Sequence, residues 1–195
     1  MKILAISGSP RANGNSTYAA TYALDIIKNA GGETRFISLA RKHIEYCIGC
    51  FKCCKNKICI HTDDMQEIIS DLLWCDALIL ATPTYFGLIN AQMKTYMDRC
   101  FVLRPNYDGE IKLAGKIGAG IVCGGFRNGG QEITLQNIQT FFLQNNMRVI
   151  NDGPLFSHSG GIIVGEAAHD ELGLSTVEHL AKNIVYHLKG SKRVD

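Results

Sequence analysis

The chain reads as an α/β protein, a doubly wound parallel sheet of five strands, and three observations predict this. Short β-type runs alternate with helical patterns along the 195 residues. The run Ala77-Leu-Ile-Leu-Ala81 is apolar without alternation, as a strand covered on both faces must be. A loop crowded with hydroxyls and amides, residues 7–17, lies where the first strand passes into the first helix, and sheets of this kind bind ligands at such ends.

The elements follow in order. Lys2-Ile-Leu-Ala-Ile-Ser7 is a short apolar run broken at once by Gly8-Ser9-Pro10-Arg11, the pattern of a first strand and too brief for a signal peptide. A helix is expected over 17–30, stopped by Gly31-Gly32. The second strand falls at 34–39, and a cysteine-rich segment occupies 41–62. Asp63-Asp64 are expected to cap a helix that carries Met65, Ile68, Ile69, Leu72 and Leu73 at i, i+3, i+4 spacing. The third strand covers 77–81 and a helix 91–103. The fourth strand spans 116–123, with a helix at 131–145. A fifth strand starts at 147–151, and the last helix spans 170–188 before a frayed tail at 190–195. The Gly-, Ser- and His-rich stretch 152–169 shows no clear period. With no repeat, low-complexity tract or linker, residues 1–195 read as a single domain, and 41–62 as an insertion after the second strand.

Composition narrows the function classes. Apolar residues make up 46% and charged residues 19%, an ordinary globular balance. A formal net charge of +2 gives no ground for nucleic-acid or membrane partners. No stretch approaches the ~18–20 apolar residues of a membrane span. The expectation is a cytoplasmic protein whose thiols remain reduced.

Five cysteines stand in Cys47-Ile-Gly-Cys50-Phe-Lys-Cys53-Cys54-Lys-Asn-Lys-Ile-Cys59. Thiolates at C-x2-C-x2-C-x5-C spacing can converge on one inorganic core, and a [4Fe–4S] cube needs four. Cys54 leaves two sets open, since Cys54 and Cys59 would serve with x4 spacing. A structural zinc site usually pairs two short knuckles across a longer gap, whereas this is one compact run, and His43 and His61 are not at knuckle spacing. Disulfides fit neither an odd number of thiols nor a reducing compartment. Cys75, Cys100 and Cys123 fall among apolar neighbours and read as small core packing, as does Trp74.

The first loop, Ser7-Gly-Ser-Pro-Arg-Ala-Asn-Gly-Asn-Ser-Thr17, offers Ser7, Ser9, Asn15, Ser16 and Thr17 as donors, with Arg11 for a bidentate contact, all at a helix start that favours anions. It lacks G-x-G-x-x-G, and the second strand ends without the acidic residue that holds an adenosine ribose. The lysine position of a nucleoside triphosphate loop holds Asn15. Such a loop suits one terminal phosphate dianion, as on FMN. Two further loops share this edge. Pro83, Thr84, Tyr85, Phe86 and Gly87 offer an aromatic and backbone groups to a flat ring; Gly124, Gly125, Arg127, Asn128 and Gly129 offer close backbone approach and donors. Together they outline a flavin pocket with no evident acid or base.

Ser7-Gly-Ser-Pro-Arg11, the cysteine run, Asp63-Asp64-Met65, Pro83-Thr-Tyr85 and Arg127-Asn-Gly-Gly-Gln-Glu132 together resemble the iron–sulfur flavoprotein family, within the NADPH-dependent FMN reductase-like group of the flavodoxin-like fold. The resemblance runs from residue 1 to about 188. It implies FMN, one [4Fe–4S] cluster per chain on Cys47, Cys50, Cys53 and Cys59, and a homodimer or homotetramer with a cluster close to the flavin of a neighbouring subunit. It also implies electron transfer from a ferredoxin-like donor, with dioxygen or peroxide as an outlet. Arg41, Lys42, Lys52, Lys55 and Lys57 surround the cysteines, opposed by Glu45, and would steer an acidic ferredoxin.

Overall fold

A computed structural model describes residues 1–104 and 110–190. Strands β1 (Lys2–Ser7), β2 (Glu33–Ser38), β3 (Ala77–Tyr85), β4 (Leu88–Ile89), β5 (Ile117–Gly124), β6 (Arg148–Val149) and β7 (Gly161–Val164) alternate with helices α1 (Asn15–Asn29), α2 (Lys52–Asn56), α3 (Met65–Trp74), α4 (Ala91–Arg99), α5 (Gln131–Gln144) and α6 (Glu171–Leu188). The main sheet runs β2-β1-β3-β5-β6, with β7 also on β5, and every pair in it is parallel. This is the strand order of a flavodoxin-like doubly wound sheet. The order reverses between β1 and β3, so the loops after those strands open onto one crevice. No helix among the described residues is long and apolar enough to cross a membrane.

Each face of the sheet has its own core. Residues Ala77, Ile79 and Ala81 of β3 meet α1 and α6, whereas Leu78 and Leu80 meet α3, α4 and α5. All five are fully buried, which is why the run could not alternate. The α1 stop at Gly31-Gly32 is a Schellman turn: Gly32 N–H donates to Ile27 O at 3.0 Å, Gly31 N–H to Lys28 O at 2.9 Å, and Gly31 takes φ +85°.

Four expectations are refined. The fifth sheet position is shared by two short strands: β6 pairs with Ile117 and Gly118, and β7 with residues 121–124 of β5. The stretch 152–169 therefore contains a strand that its glycines conceal. On α3 the buried face is Met65, Ile68 and Leu72, while Leu73 is exposed. Trp74 lies at the core's margin beneath the Arg35 guanidinium, 3.9 Å from the ring centroid. The α3 start is held by Asp63, whose Oδ1 accepts from Met65 N–H at 3.1 Å; Asp64 instead accepts from His43 N–H at 2.7 Å. Cys75, Cys100 and Cys123 are buried as expected, and desolvation pushes their thiols up to about 11, 12 and 12.

Phe142 of α5 is fully buried on Gly118, where an added Cβ would stand 2.5 Å from the ring. Truncation of Phe142 to Ala leaves a cavity that β5 cannot fill, so it is expected to lower unfolding free energy by about 3–5 kcal/mol in urea titration.

Candidate functional site

At the end of β1 the chain knits its hydroxyls together. Ser7 Oγ stands 3.0 Å from Thr17 Oγ1 and accepts from Ser9 N–H at 3.3 Å. Ser9 Oγ accepts from Arg11 N–H at 3.2 Å. Ser9 is buried against Gly14, where any Cβ would come within 2.5 Å of the hydroxyl. Gly14 is the N-cap of α1, and no side chain caps that end. The first amides of α1 are therefore open to an anion, beside the hydroxyls of Ser7, Ser9 and Thr17, with Arg11 exposed nearby. Asn15 and Ser16 face elsewhere. Asn15 Nδ2 donates to Gly165 O at 2.6 Å, and its Oδ1 accepts from Ala167 N–H at 3.1 Å. Ser16 is buried, close enough to the Cys123 thiol to lower its pKa against the effect of burial. The Asn15 amide is thus engaged within the protein, while the backbone N–H groups of both residues lie in the first turn of α1.

The second loop is a tight hairpin. β3 continues past the sheet to pair antiparallel with β4, Tyr85 opposite Leu88. The two central residues, Phe86 at φ +52° and Gly87 at φ +75°, carry the positive angles that a two-residue turn of this kind requires. Phe86 is fully exposed and Tyr85 about half exposed. The third loop meets this hairpin backbone to backbone: a Cβ on Gly130 would lie 2.5 Å from Gly87 Cα. Thr84 Oγ1 reaches Thr134 Oγ1 at 2.5 Å, joining the hairpin to α5. Residues 125–129 are exposed, with Asn128 at φ +59°. Gly124 lies against Gln131, whose Nε2 holds Phe126 O at 2.5 Å.

One residue ties the first loop to the second. Asn90, 1% exposed, donates from Nδ2 to Gly8 O at 2.5 Å, accepts from Thr82 Oγ1 at 3.0 Å, and caps α4 by accepting from Met93 N–H.

The cysteine segment leaves the sheet edge and returns to α3. Its single turn, α2, begins and ends at residues with left-handed backbone, Phe51 and Lys57. Cys47, Cys50, Cys53 and Cys59 line one pocket of about 290 Å³, together with His61, Asp98 and Phe101; Cys54 is not among its walls. Among the described residues no group of three His, Cys, Asp or Glu side chains is placed to hold a metal ion. Burial first, and then the neighbouring thiols of Cys54, Cys59, Cys47 and Cys50, push the Cys53 thiol up. Two buried nitrogens here lack a hydrogen-bond partner: His61 Nε2 and Arg99 Nε. Arg99 and Asp63, each 1% exposed at the side chain, form a bidentate pair at 2.5 and 3.0 Å. Of the basic rim, Lys42 is taken up by Glu67 at 2.9 Å and Asp64 at 3.7 Å.

Residues 1–161 match the family model described as NADPH-dependent FMN reductase. An iron–sulfur flavoprotein of Methanocaldococcus jannaschii is 41% identical over 197 residues, covering 99% of this chain and all of that one. The chain belongs to the iron–sulfur flavoprotein family. Membership places it among oxidoreductase and electron-transfer flavoproteins. A second iron–sulfur flavoprotein, from Methanosarcina thermophila, is 37% identical, covering 94% of this chain and 93% of its own. A protein named NAD(P)H dehydrogenase (quinone), from Acidithiobacillus ferrooxidans, is 38% identical over 46% of this chain. Among solved structures, the NAD(P)H:quinone oxidoreductase of Methanothermobacter marburgensis superposes with a TM-score of 0.68 at 15% identity, covering 99% of both chains, a likeness of fold.

Sequence reasoning missed Asn90, Arg99 and Gln131. An Asn directly before a helical pattern is an N-cap signal and could have drawn attention to Asn90. The partner of Arg99 lies 36 residues away, which no local pattern reveals.

Burial raises the Asp63 carboxyl, but the bonds from Arg99 and from the N–H groups of Glu45 and Met65 outweigh it, holding the group below the usual carboxylate range. Its contribution to stability is therefore present above the unfolded value near 3.9 and lost as pH falls through the lower folded value. Asp63→Asn is expected to cost about 3–5 kcal/mol at pH 7 and to flatten the loss of stability below about pH 4, read from urea midpoints across that range.

Proposed function

We propose that the protein is a single cytoplasmic domain spanning 1–195. It passes electrons between a ferredoxin-like one-electron carrier, a [4Fe–4S] cluster held by segment 41–62, and FMN. The observation that carries this reading is the pocket shared by Cys47, Cys50, Cys53 and Cys59, which leaves Cys54 out. Four thiols lining one pocket match in number the four ligands that a [4Fe–4S] cube needs. The unpartnered nitrogens of His61 and Arg99 suit anionic sulfur as an acceptor. When bound, the cluster supplies one-electron storage and the flavin storage for one or two.

The chain's own residues do the rest. Ser7, Ser9, Thr17 and Arg11, with the open amides of α1, hold the phosphate; Asn15 and Ser16 add backbone N–H groups. Residues 83–87 and 124–129 form the walls of the ring site, locked to one another through Gly87, Gly130 and Thr84. Thr84, Tyr85 and Arg127 tune the ring's potential through contact and charge, and none is assigned a proton. Exposed Tyr46, Ile48, Phe51 and Ile58 around the cysteines favour assembly as a homodimer or homotetramer.

The second reading is a cluster-independent NAD(P)H-dependent FMN or quinone reductase. The family model and the quinone dehydrogenase relative favour it, since both names carry NAD(P)H. Metal analysis of protein purified without oxygen is expected to give about four irons per chain and no zinc. Cys50→Ser is expected to lose the iron and ferredoxin-driven flavin reduction while retaining FMN. One zinc per chain, or rapid NAD(P)H reduction that Cys50→Ser leaves intact, would move the reductase reading to the front.

Arg41, Lys52, Lys55 and Lys57 stand exposed around the segment. If they steer an acidic carrier, the ferredoxin-driven rate falls as ionic strength rises. A rate flat from low to high salt would remove the steering role.

A further inference from the structure

We propose that Arg99 is a positioning residue for the cluster, fixing Cys59 and, with Asp63, setting the reduction potential; the inference rests on the cluster reading above. Arg99 is the last residue of α4 and is 2% exposed. Its Nη1 donates to Glu45 O at 2.6 Å and to Asp63 Oδ2 at 2.5 Å, and its Nη2 donates to Asp63 Oδ1 at 3.0 Å. Asp63 Oδ2 accepts in turn from Glu45 N–H at 2.9 Å. Glu45 and Asp63 bracket the cysteine segment, so one guanidinium clamps its two ends together. Arg99 also lines a second cavity together with Cys59, whose thiol bears on the guanidinium charge, and its Nε has no hydrogen-bond partner.

The end of α4 also supplies Asp98 and Phe101 to the pocket wall, with Phe101 edge-on to Phe51 at 5.7 Å. The cluster pocket thus hangs from one helix end. Four thiolates around a cube leave net negative charge, and reduction adds more. A buried cation against one ligand favours the reduced form and raises the potential. Asp63, bonded to the same guanidinium, offsets part of that charge. Asp98 on the pocket wall is paired with Lys94 at 2.6 Å.

The test is a comparison of iron content and midpoint potential, by spectroelectrochemical titration, in the full-length wild type and in variants. Arg99→Gln is expected to lower the potential, while Arg99→Lys, which keeps the charge, stays near wild type; both retain about four irons per chain. The double variant Asp63→Asn/Arg99→Gln leaves no unpaired buried charge. It is expected to hold the cluster at a potential below wild type even if Arg99→Gln alone does not fold. A merely structural clamp predicts lost iron in both single variants and no shift of potential in the clusters that remain, and that result overturns the proposal. Equal potentials in wild type and the double variant overturn it as well. Wild-type protein without iron overturns the cluster reading itself, which keeps the two failures apart.

Discussion

Strand β3 is paired on both edges and covered on both faces, and this enclosure decides where chemistry can occur. Residues 77–81 expose nothing to solvent and belong to two cores at once. A parallel strand in that position has no polar face to offer. Polar side chains reach the C-terminal ends of these strands, beginning at Thr82 on β3 and at Ser7 on β1. Because the winding reverses between these two strands, their exits open side by side. Asn90 then makes them a unit, with one amide holding the carbonyl of Gly8 and the hydroxyl of Thr82. The site follows from how the sheet is buried.

The cysteine segment obeys the opposite rule. It brings almost no buried apolar surface, and Ile48, Phe51 and Ile58 face solvent. What anchors it is charge: the Arg99–Asp63 pair at its base, with both backbone groups of Glu45 engaged. A buried ion pair is weak evidence for net stability but a strong device for fixing one arrangement among several. That suits a segment whose task is to present sulfur atoms in a set geometry.

Much of this was legible in the chain before any coordinates. The continuous run at 77–81, the glycine stop after α1 and the hydroxyl-rich exit of β1 are local signals, and each corresponds to an observed element. The cysteine run is a local signal as well, and four of its five thiols line one pocket. The rest was hidden for reasons of range. Whether Asn15 faces a ligand or Gly165 depends on a contact 150 residues away in the chain. Gly161-Ile-Ile-Val164 is too short, and too closely flanked by glycine, to announce a strand; only its pairing with β5 makes it one. Leu73 fits the helical period, yet it falls just outside the stripe that α3 buries.

The divided fifth position has an architectural consequence. β6 and β7 each grip a different part of β5, and between them the chain departs from the sheet and returns. Only the return is tied to the ligand edge, through Gly165 N–H on Gly124 O at 2.8 Å and Asn15 on Gly165 and Ala167. The excursion at 150–160 is held by the helices instead, with Gln139 Nε2 on Ser159 O at 2.8 Å and Asn183 Nδ2 on Asn151 O at 2.9 Å. A change there bears on α5 and α6 before it bears on the phosphate loop.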